Sequence, residues 1–352
     1  MKAVFRYGQE KGSIEIRDMP IPEIGDGDVL MKVKSAGLCG SDINSYMGRT
    51  HLHLPVIMGH EFAGEVAAVG RRVTVWKPGD RVCSDNTGYL CGACPACRRG
   101  DFYQCSTRKG LGSKMNGGFA EYVRIPEEAL AVNPNSLVRI PDSISDDEAA
   151  IIDPPSNAYN ALIQQGGLQV GDTVAVLGAG PLSLSAITMA NASGAVGIVC
   201  IVRRSTNDLH RDAAKKLGAT HIFEEEDPDL IEKIMELTRG EGVAMTVDGA
   251  GPNHLFKKSV DMTMWGGKIV RIAYDWGPLN YSLNDFVNHN ITLVGHMGYT
   301  PTAWLKAMKL LDAGKIDVKT MITHRMPLTD FFKGVDAMMS REAIKVIFKP
   351  EW

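Results

Sequence analysis

The apolar positions of the chain fall into short runs broken by glycines and polar turns. In "VGDTVAVLGAGPLSLSAITMANASGA" the run Val174 to Leu177 is continuous, which predicts a strand covered on both faces, as in a parallel sheet. Gly178-x-Gly180 predicts a tight turn after it, and Pro181 and Leu182 open a predicted helix. "VGIVCIV" predicts a second strand, and "AMTVDGAG" and "GGKIVRIA" predict further buried strands ending in polar turns, where ligands of doubly wound sheets bind. Cys83 in "GDRVCS" and Cys200 in "VGIVCIV" lie in strand-like apolar runs and read as small buried hydrophobes. No apolar stretch approaches the roughly 20 residues that span a bilayer. No internal repeat or low-complexity linker interrupts the pattern.

The strand-turn-helix-strand order carries chemistry. Free N–H groups and a partial positive charge at the start of the predicted helix suit a pyrophosphate, so Gly178, Gly180, Pro181 and Leu182 are candidate dinucleotide contacts. Ser183 stands where a third glycine is usual, which predicts slightly looser helix-to-strand packing but retained phosphate binding. After the second strand come Arg203, Arg204 and Ser205, with Asp208 three positions beyond Ser205. An acidic residue there accepts hydrogen bonds from the ribose and repels a 2′-phosphate, whereas two arginines favour the phosphate. The expectation is NADP, with NAD kept open because Asp208 can fold back.

Composition narrows the classes. With 352 residues, 44% hydrophobic and 22% charged, the chain is long enough for two domains. The net charge is -3 and the basic residues are dispersed, so no nucleic-acid partner is expected. "MKAVFRYGQEKGS" lacks the apolar core of a signal peptide, and a cytoplasmic location is expected. Thiols stay reduced there, so dense cysteines point to metal rather than disulfides.

Four of the seven cysteines do cluster, as Cys91-x2-Cys94-x2-Cys97-x7-Cys105. Short gaps let neighbouring thiolates converge on one tetrahedral ion, and the fourth closes the shell, which describes a structural zinc site. Arg98 and Arg99 inside this loop raise a nucleic-acid zinc ribbon as a further reading, which one small lobe in a large acidic chain disfavours. A closed shell leaves no room for substrate, so catalysis is expected elsewhere. Cys39 sits in "AGLCGSD", and about twenty residues later come His60 and Glu61; thiolate, imidazole and carboxylate are the ligand types of a catalytic zinc with one open position.

"GHEFAGEVAAVGRRV" fits the zinc signature G-H-E-x2-G-x5-G-x2-V at Gly59, His60, Glu61, Gly64, Gly70 and Val73. With "CGSD", the four-cysteine lobe and the later glycine turn in the same order, the whole chain resembles the zinc-dependent medium-chain alcohol dehydrogenases, especially their sorbitol and threonine dehydrogenase branch. The resemblance implies an α/β protein with a GroES-like, irregular β catalytic domain at 1–153 carrying both zinc ions. A doubly wound Rossmann NAD(P)-binding domain follows at 154–290, and a returning segment at 291–352 completes the catalytic domain, with the active-site cleft between the two domains. It also implies a homodimer or homotetramer.

The same resemblance carries zinc-ligand roles onto Cys39 and His60. The third protein ligand is either Glu61 or Asp153 of "EEAAIIDPPSNAYNAL", which stands where the sorbitol branch has glutamate and the threonine branch aspartate. Either choice adds one carboxylate to one thiolate and neutralises Zn2+. Such a shell suits a vicinal diol or amino alcohol better than a plain alcohol. The expected reaction interconverts a secondary alcohol of a polyol, sugar alcohol or its phosphate with the ketone, by hydride transfer to or from NAD(P). A threonine-like amino alcohol is the alternative substrate, and a non-catalytic nucleotide-binding relative the alternative class. Ser41 matches the family's proton-relay position and also reads as a helix N-cap before "DINSYMG". Asn44 replaces the histidine that ends the relay in many relatives, and an amide does not titrate near neutral pH. Proton exit then falls to water or to His51 or His53 in "RTHLHLP". His296 in "TLVGHMGYT" reads either as a substrate contact or as a packed histidine.

Overall fold

A strand with both faces covered shows few polar positions, and β3 (Val29–Gly37, below) follows that rule: only Lys32 is exposed along its nine residues. In the computed structural model, which describes residues 1–50 and 52–350, the strands begin with β1 (Lys2–Arg6), β2 (Ile14–Asp18), β3, β4 (Val56–Ile57), β5 (Glu61–Val69) and β6 (Arg81–Ser84). Next come β7 (Thr87–Tyr89), β8 (Lys109–Gly110), β9 (Tyr122–Ile125), β10 (Leu137–Arg139), β11 (Thr173–Leu177) and β12 (Gly197–Val202). The last are β13 (His221–Glu224), β14 (Val243–Asp248), β15 (Thr263–Arg271), β16 (Thr292–Gly295), β17 (Ile322–Pro327) and β18 (Lys345–Lys349).

The chain divides into two compact units, one of 1–153, 300–312 and 322–352, the other of 154–299 and 313–321. In the first, a sheet runs β10-β6-β5-β3-β18-β17, with β9 also paired to β3. Smaller sheets, β2-β1-β4 and β7-β8, complete it. Its core includes Phe119, Phe331 and Phe348, packed edge to face with centroids 5.6 Å apart for Phe119–Phe331 and 5.7 Å for Phe119–Phe348. Two of those rings come from the returning tail, so the N-terminal segment alone lacks part of its own core.

The second unit is a six-stranded sheet, β13-β12-β11-β14-β15-β16, with parallel pairing throughout. Val174 to Leu177 are fully buried, as a strand covered on both faces requires. The strand order reverses between β11 and β14, and their carboxyl ends, Leu177 and Asp248, define the switch point where ligands of such sheets bind. The return expected at 291 differs in the structure. Thr292 to Gly295 pair with Lys268 to Arg271 of β15, so backbone hydrogen bonding holds this stretch, and His296 after it, in the second unit. Residues 313–321 also belong there.

Candidate metal centres and cofactor turn

In the β3–β5 register Gly37 faces Glu61. Cys39 lies two residues past the end of β3 and His60 one residue before β5, so the register alone brings them together. A ligand atom from each of Cys39, His60 and Glu61 lies within 4.8 Å of the others. Cys39 is the N-cap of the helix Gly40–Tyr46, which corrects the N-cap reading of Ser41: Ser41 is the helix's second residue and is exposed. Its Oγ stands 3.4 Å from His60 Nε2.

Asp42, the acid of "CGSD", was missed as a functional residue although it follows the cap by three positions, where a capping carboxylate belongs. Its Oδ2 accepts the Cys39 N–H at 3.0 Å, and its Oδ1 lies 3.5 Å from His60 Nδ1. Burial disfavours the imidazolium, but the charges of Asp42 and Cys39 outweigh it and raise the His60 pKa well above its ordinary value. A carboxylate at Nδ1 leaves Nε2 as the nitrogen for a metal.

The two candidate acids differ in their surroundings. Glu61 is buried against Lys345 of β18, whose Nζ lies 2.7 Å from Oε1 and 2.5 Å from Oε2, although Oε2 has no hydrogen bond of good angle. Burial disfavours the Lys345 ammonium, and the Glu61 charge restores it and raises its pKa. Nothing local in the sequence announces Lys345, which lies 284 residues from Glu61. Asp153 opens the helix Asp153–Tyr159, is buried, and accepts a hydrogen bond from Asn86 Nδ2 at 3.2 Å on Oδ2. Burial and then the charge of Glu61 push its carboxyl up to about 6. Asp153 stands outside the tight three-residue set. The donor set fits Zn2+: a thiol, an imidazole and two buried acids, with the charge of Glu61 raising the cost of ionising Asp153.

The four-cysteine lobe is locally built. Cys94 caps the helix Pro95–Arg99, Gly100 ends it in the left-handed region at φ 81°, and the short turn Phe102–Gln104 brings Cys105 back. All four sulfurs converge within 4.8 Å of one another. Backbone N–H groups of Ala93 and Cys94 point at Cys91 and pull its thiol pKa down to about 6, the direction a metal ligand needs. Cys83 and Cys200 are buried, with thiol pKa values that burial pushes up to about 12.

In the second unit, Gly178 has φ 90°, where an L side chain is strained, and its N–H bonds Ile201 O at 2.7 Å. Gly180 caps the helix Pro181–Ala192, with open space where a Cβ would stand, and Pro181 and Leu182 form the first turn. These positions fit a pyrophosphate. Ser183 does not loosen the packing: it is fully buried and its Oγ bonds Leu177 O at 3.0 Å. Asp208 does not fold back either, since it begins the exposed first turn of the helix Asp208–Lys216, capped by Asn207. Arg204 pairs with Glu224 at 2.8 Å. The Arg203 side chain is exposed and makes no hydrogen bond or ion pair among the described residues.

The remaining candidates scatter. Asn44 is half-buried on the Gly40–Tyr46 helix, His53 is exposed on a loop, and His51 lies outside the described residues. His296 is half-buried, with Nδ1 2.8 Å from Gln165 Oε1 and Nε2 3.2 Å from Asn157 Oδ1. Burial lowers its pKa to about 4, the behaviour of a packed neutral ring.

An open thiol-imidazole-acid cluster in one unit and a glycine turn on a doubly wound sheet in the other define a zinc-type dehydrogenase. Known proteins agree. Residues 25–135 match the alcohol dehydrogenase GroES-like domain, and residues 181–313 the zinc-binding dehydrogenase domain. An uncharacterised zinc-type alcohol dehydrogenase-like protein of Escherichia coli is 38% identical over 99% of this chain and 98% of its own. The sorbitol dehydrogenase of Halalkalibacterium halodurans is 33% identical over 99% of each, and the L-threonine 3-dehydrogenase of Bacillus licheniformis 34% over 99% of each. Among solved structures, a putative zinc-binding dehydrogenase of Sinorhizobium meliloti bound to NADP superposes with a TM-score of 0.89, at 28% identity and 99% coverage of both chains. The chain belongs to the zinc-dependent medium-chain alcohol dehydrogenase family.

Elemental analysis is expected to find about two zinc ions per chain. Cys39→Ala should lose one while the far-UV dichroism and melting temperature stay near those of the parent. Cys94→Ala should instead lower the melting temperature sharply, because a structural zinc contributes folding energy directly.

Proposed function

We propose that the protein interconverts a secondary alcohol of a polyol, a sugar alcohol or its phosphate with the corresponding ketone, using NAD(P) as hydride acceptor or donor. The convergence of Cys39, His60 and Glu61, with Asp153 close enough to respond to the charges of Glu61 and His60, carries this reading. Cys39, His60 and one of the two acids would hold zinc, which when bound supplies a Lewis acid for the substrate oxygen. Asp42 fixes the His60 ring through Nδ1. Ser41, exposed and 3.4 Å from His60 Nε2, both gives and accepts a proton, as a relay from the substrate hydroxyl must. The carbinol then gives up one proton and one hydride, yielding ketone and NAD(P)H. With Asn44 unable to titrate, the proton leaves through water or past the exposed His53.

The two-acid environment supports oxygen-chelating substrates, and relatives named for sorbitol and for threonine fall on both sides of that class. Glycines 178 and 180 with Pro181 and Leu182 would take the pyrophosphate. The unpaired Arg203 supports NADP over NAD, while Arg204 is already committed to Glu224. Burial of most of the protein's thiols without disulfides fits the cytoplasm, and no helix among the described residues is long and apolar enough to cross a membrane. A homodimer or homotetramer is part of the proposal. β16 ends its sheet with Leu293 exposed, and Trp265, Trp276, Leu283, Val287 and Met297 are exposed in the same unit. A free strand edge amid exposed apolar side chains favours pairing with a second copy.

A steady-state screen of polyols, their phosphates and threonine against both cofactors tests the function. The highest kcat/KM is expected for a polyol or polyol phosphate; a preference for threonine selects the amino-alcohol reading, and turnover of none with metal-replete protein removes the enzymatic one. Arg203→Ala should raise the KM for NADPH about tenfold, the worth of one charge-assisted contact, and change that for NADH little; equal effects defeat the NADP preference. Light scattering is expected to give a mass of at least two chains, and a monomer at micromolar concentration sinks the assembly.

A further inference from the structure

We propose that Asn86 and Arg108 are positioning residues that transmit the order of the four-cysteine lobe to the Asp153 carboxylate. The inference rests on the reading of Asp153 as an acid that serves the catalytic zinc, directly or through water. Asn86 Nδ2 donates to Asp153 Oδ2 at 3.2 Å, and Arg108 NH2 donates to Asn86 Oδ1 at 2.5 Å. An arginine has only donors, so it fixes which side of the amide is oxygen and turns the NH2 group toward Asp153.

Both relay members are themselves held. Arg108 follows Cys105 by three residues, and its N–H bonds Cys105 O at 3.0 Å. Its guanidinium lies 4.3 Å from the ring centroid of Tyr103, in the turn that delivers Cys105 to the cluster. Asn86 has φ 54°, its N–H bonds Ser84 Oγ at 3.1 Å, and its carbonyl accepts Leu111 N–H at 2.7 Å. The neighbouring Asp85, buried, accepts Thr87 N–H at 2.9 Å and Asn133 Nδ2 at 3.0 Å. A rigid turn therefore carries one amide between the lobe and the acid. Neither Asn86 nor Arg108 belongs to a ligand motif, and neither hydrogen-bonds to Cys39, His60 or Glu61 among the described residues.

Partners that orient a metal-site ligand typically change metal affinity ten- to a hundredfold when removed. Asn86→Gly removes the amide and keeps the left-handed backbone without strain. Arg108→Met removes the donors and keeps the aliphatic packing. Zinc affinity of the full-length protein, measured by chelator competition with Zn2+, and the absorption spectrum of the Co2+-substituted protein read the site without turnover. Each variant is expected to weaken the Cys39-site zinc about ten- to a hundredfold and alter the Co2+ spectrum, with the four-cysteine zinc retained. The double variant should be no worse than either single one, as members of one chain of contacts are non-additive. Arg108→Lys, which keeps a cationic donor, should recover part of the loss. Unchanged zinc affinity in both variants, alongside loss in Asp153→Asn, overturns the relay and leaves the reading of Asp153 intact. Unchanged affinity in Asp153→Asn overturns that reading, and the relay with it.

Discussion

The pairing of Gly37 with Glu61 across β3 and β5 is the constraint on which the cluster of Cys39, His60 and Glu61 depends. A Cβ at Gly37 would stand 2.5 Å from Glu61 Oε2 and 2.7 Å from Ile151 Cγ2, so the side chain is excluded where the acid must pack. The same register sets Cys39 beside His60. On the other side of β3, Ile347 of β18 faces Gly37, which carries Lys345 toward the end where Cys39 lies. A buried carboxylate alone is costly, and Lys345 compensates Glu61.

The two metal centres show two ways of converging donors. The four-cysteine lobe spans fifteen residues, and its turns, a helix of five residues ended by Gly100, set the sulfur positions from local chain geometry. The cluster of Cys39, His60 and Glu61, with Lys345 and Asp153 beside it, draws on three strands of one sheet and the first residue of a helix. Long-range pairing is what makes it possible and also what makes it depend on a correctly folded tail. Closed and local suits a structural ion; open and assembled from distant strands suits an ion that must meet a substrate.

The second unit applies similar logic to a different ligand. Gly178 has a backbone that a side chain would strain, and Gly180 leaves open space before the helix. Ser183 shows that a third glycine is not the only solution at this turn: its hydroxyl bonds Leu177 O and fills the contact with the strand. The arginines after β12 are not equivalent, because Glu224 at the end of β13 ties up Arg204, and Arg211 also reaches that acid. Which arginine stays unpaired is thus set by a strand that lies about twenty residues further along the chain.

Much of this protein was legible before any coordinates. The parallel strand at Val174 to Leu177, the glycine turn, the four-cysteine lobe and the ligand types Cys39, His60 and Glu61 follow from apolar runs, backbone freedom and donor chemistry at short spacing. These are local properties, and a linear chain displays them directly. The sequence offers Ser41 as a cap, but capping depends on which residue has extended backbone, and that residue is Cys39. The segment after 290 stays with the second unit because strand partners are chosen in three dimensions, and β16 pairs with β15. The contacts of Lys345 with Glu61, of Asp42 with His60, and from Arg108 through Asn86 to Asp153 are not visible in the sequence. Each joins side chains through sheet register and packing rather than through spacing, so only the tertiary structure could decide them.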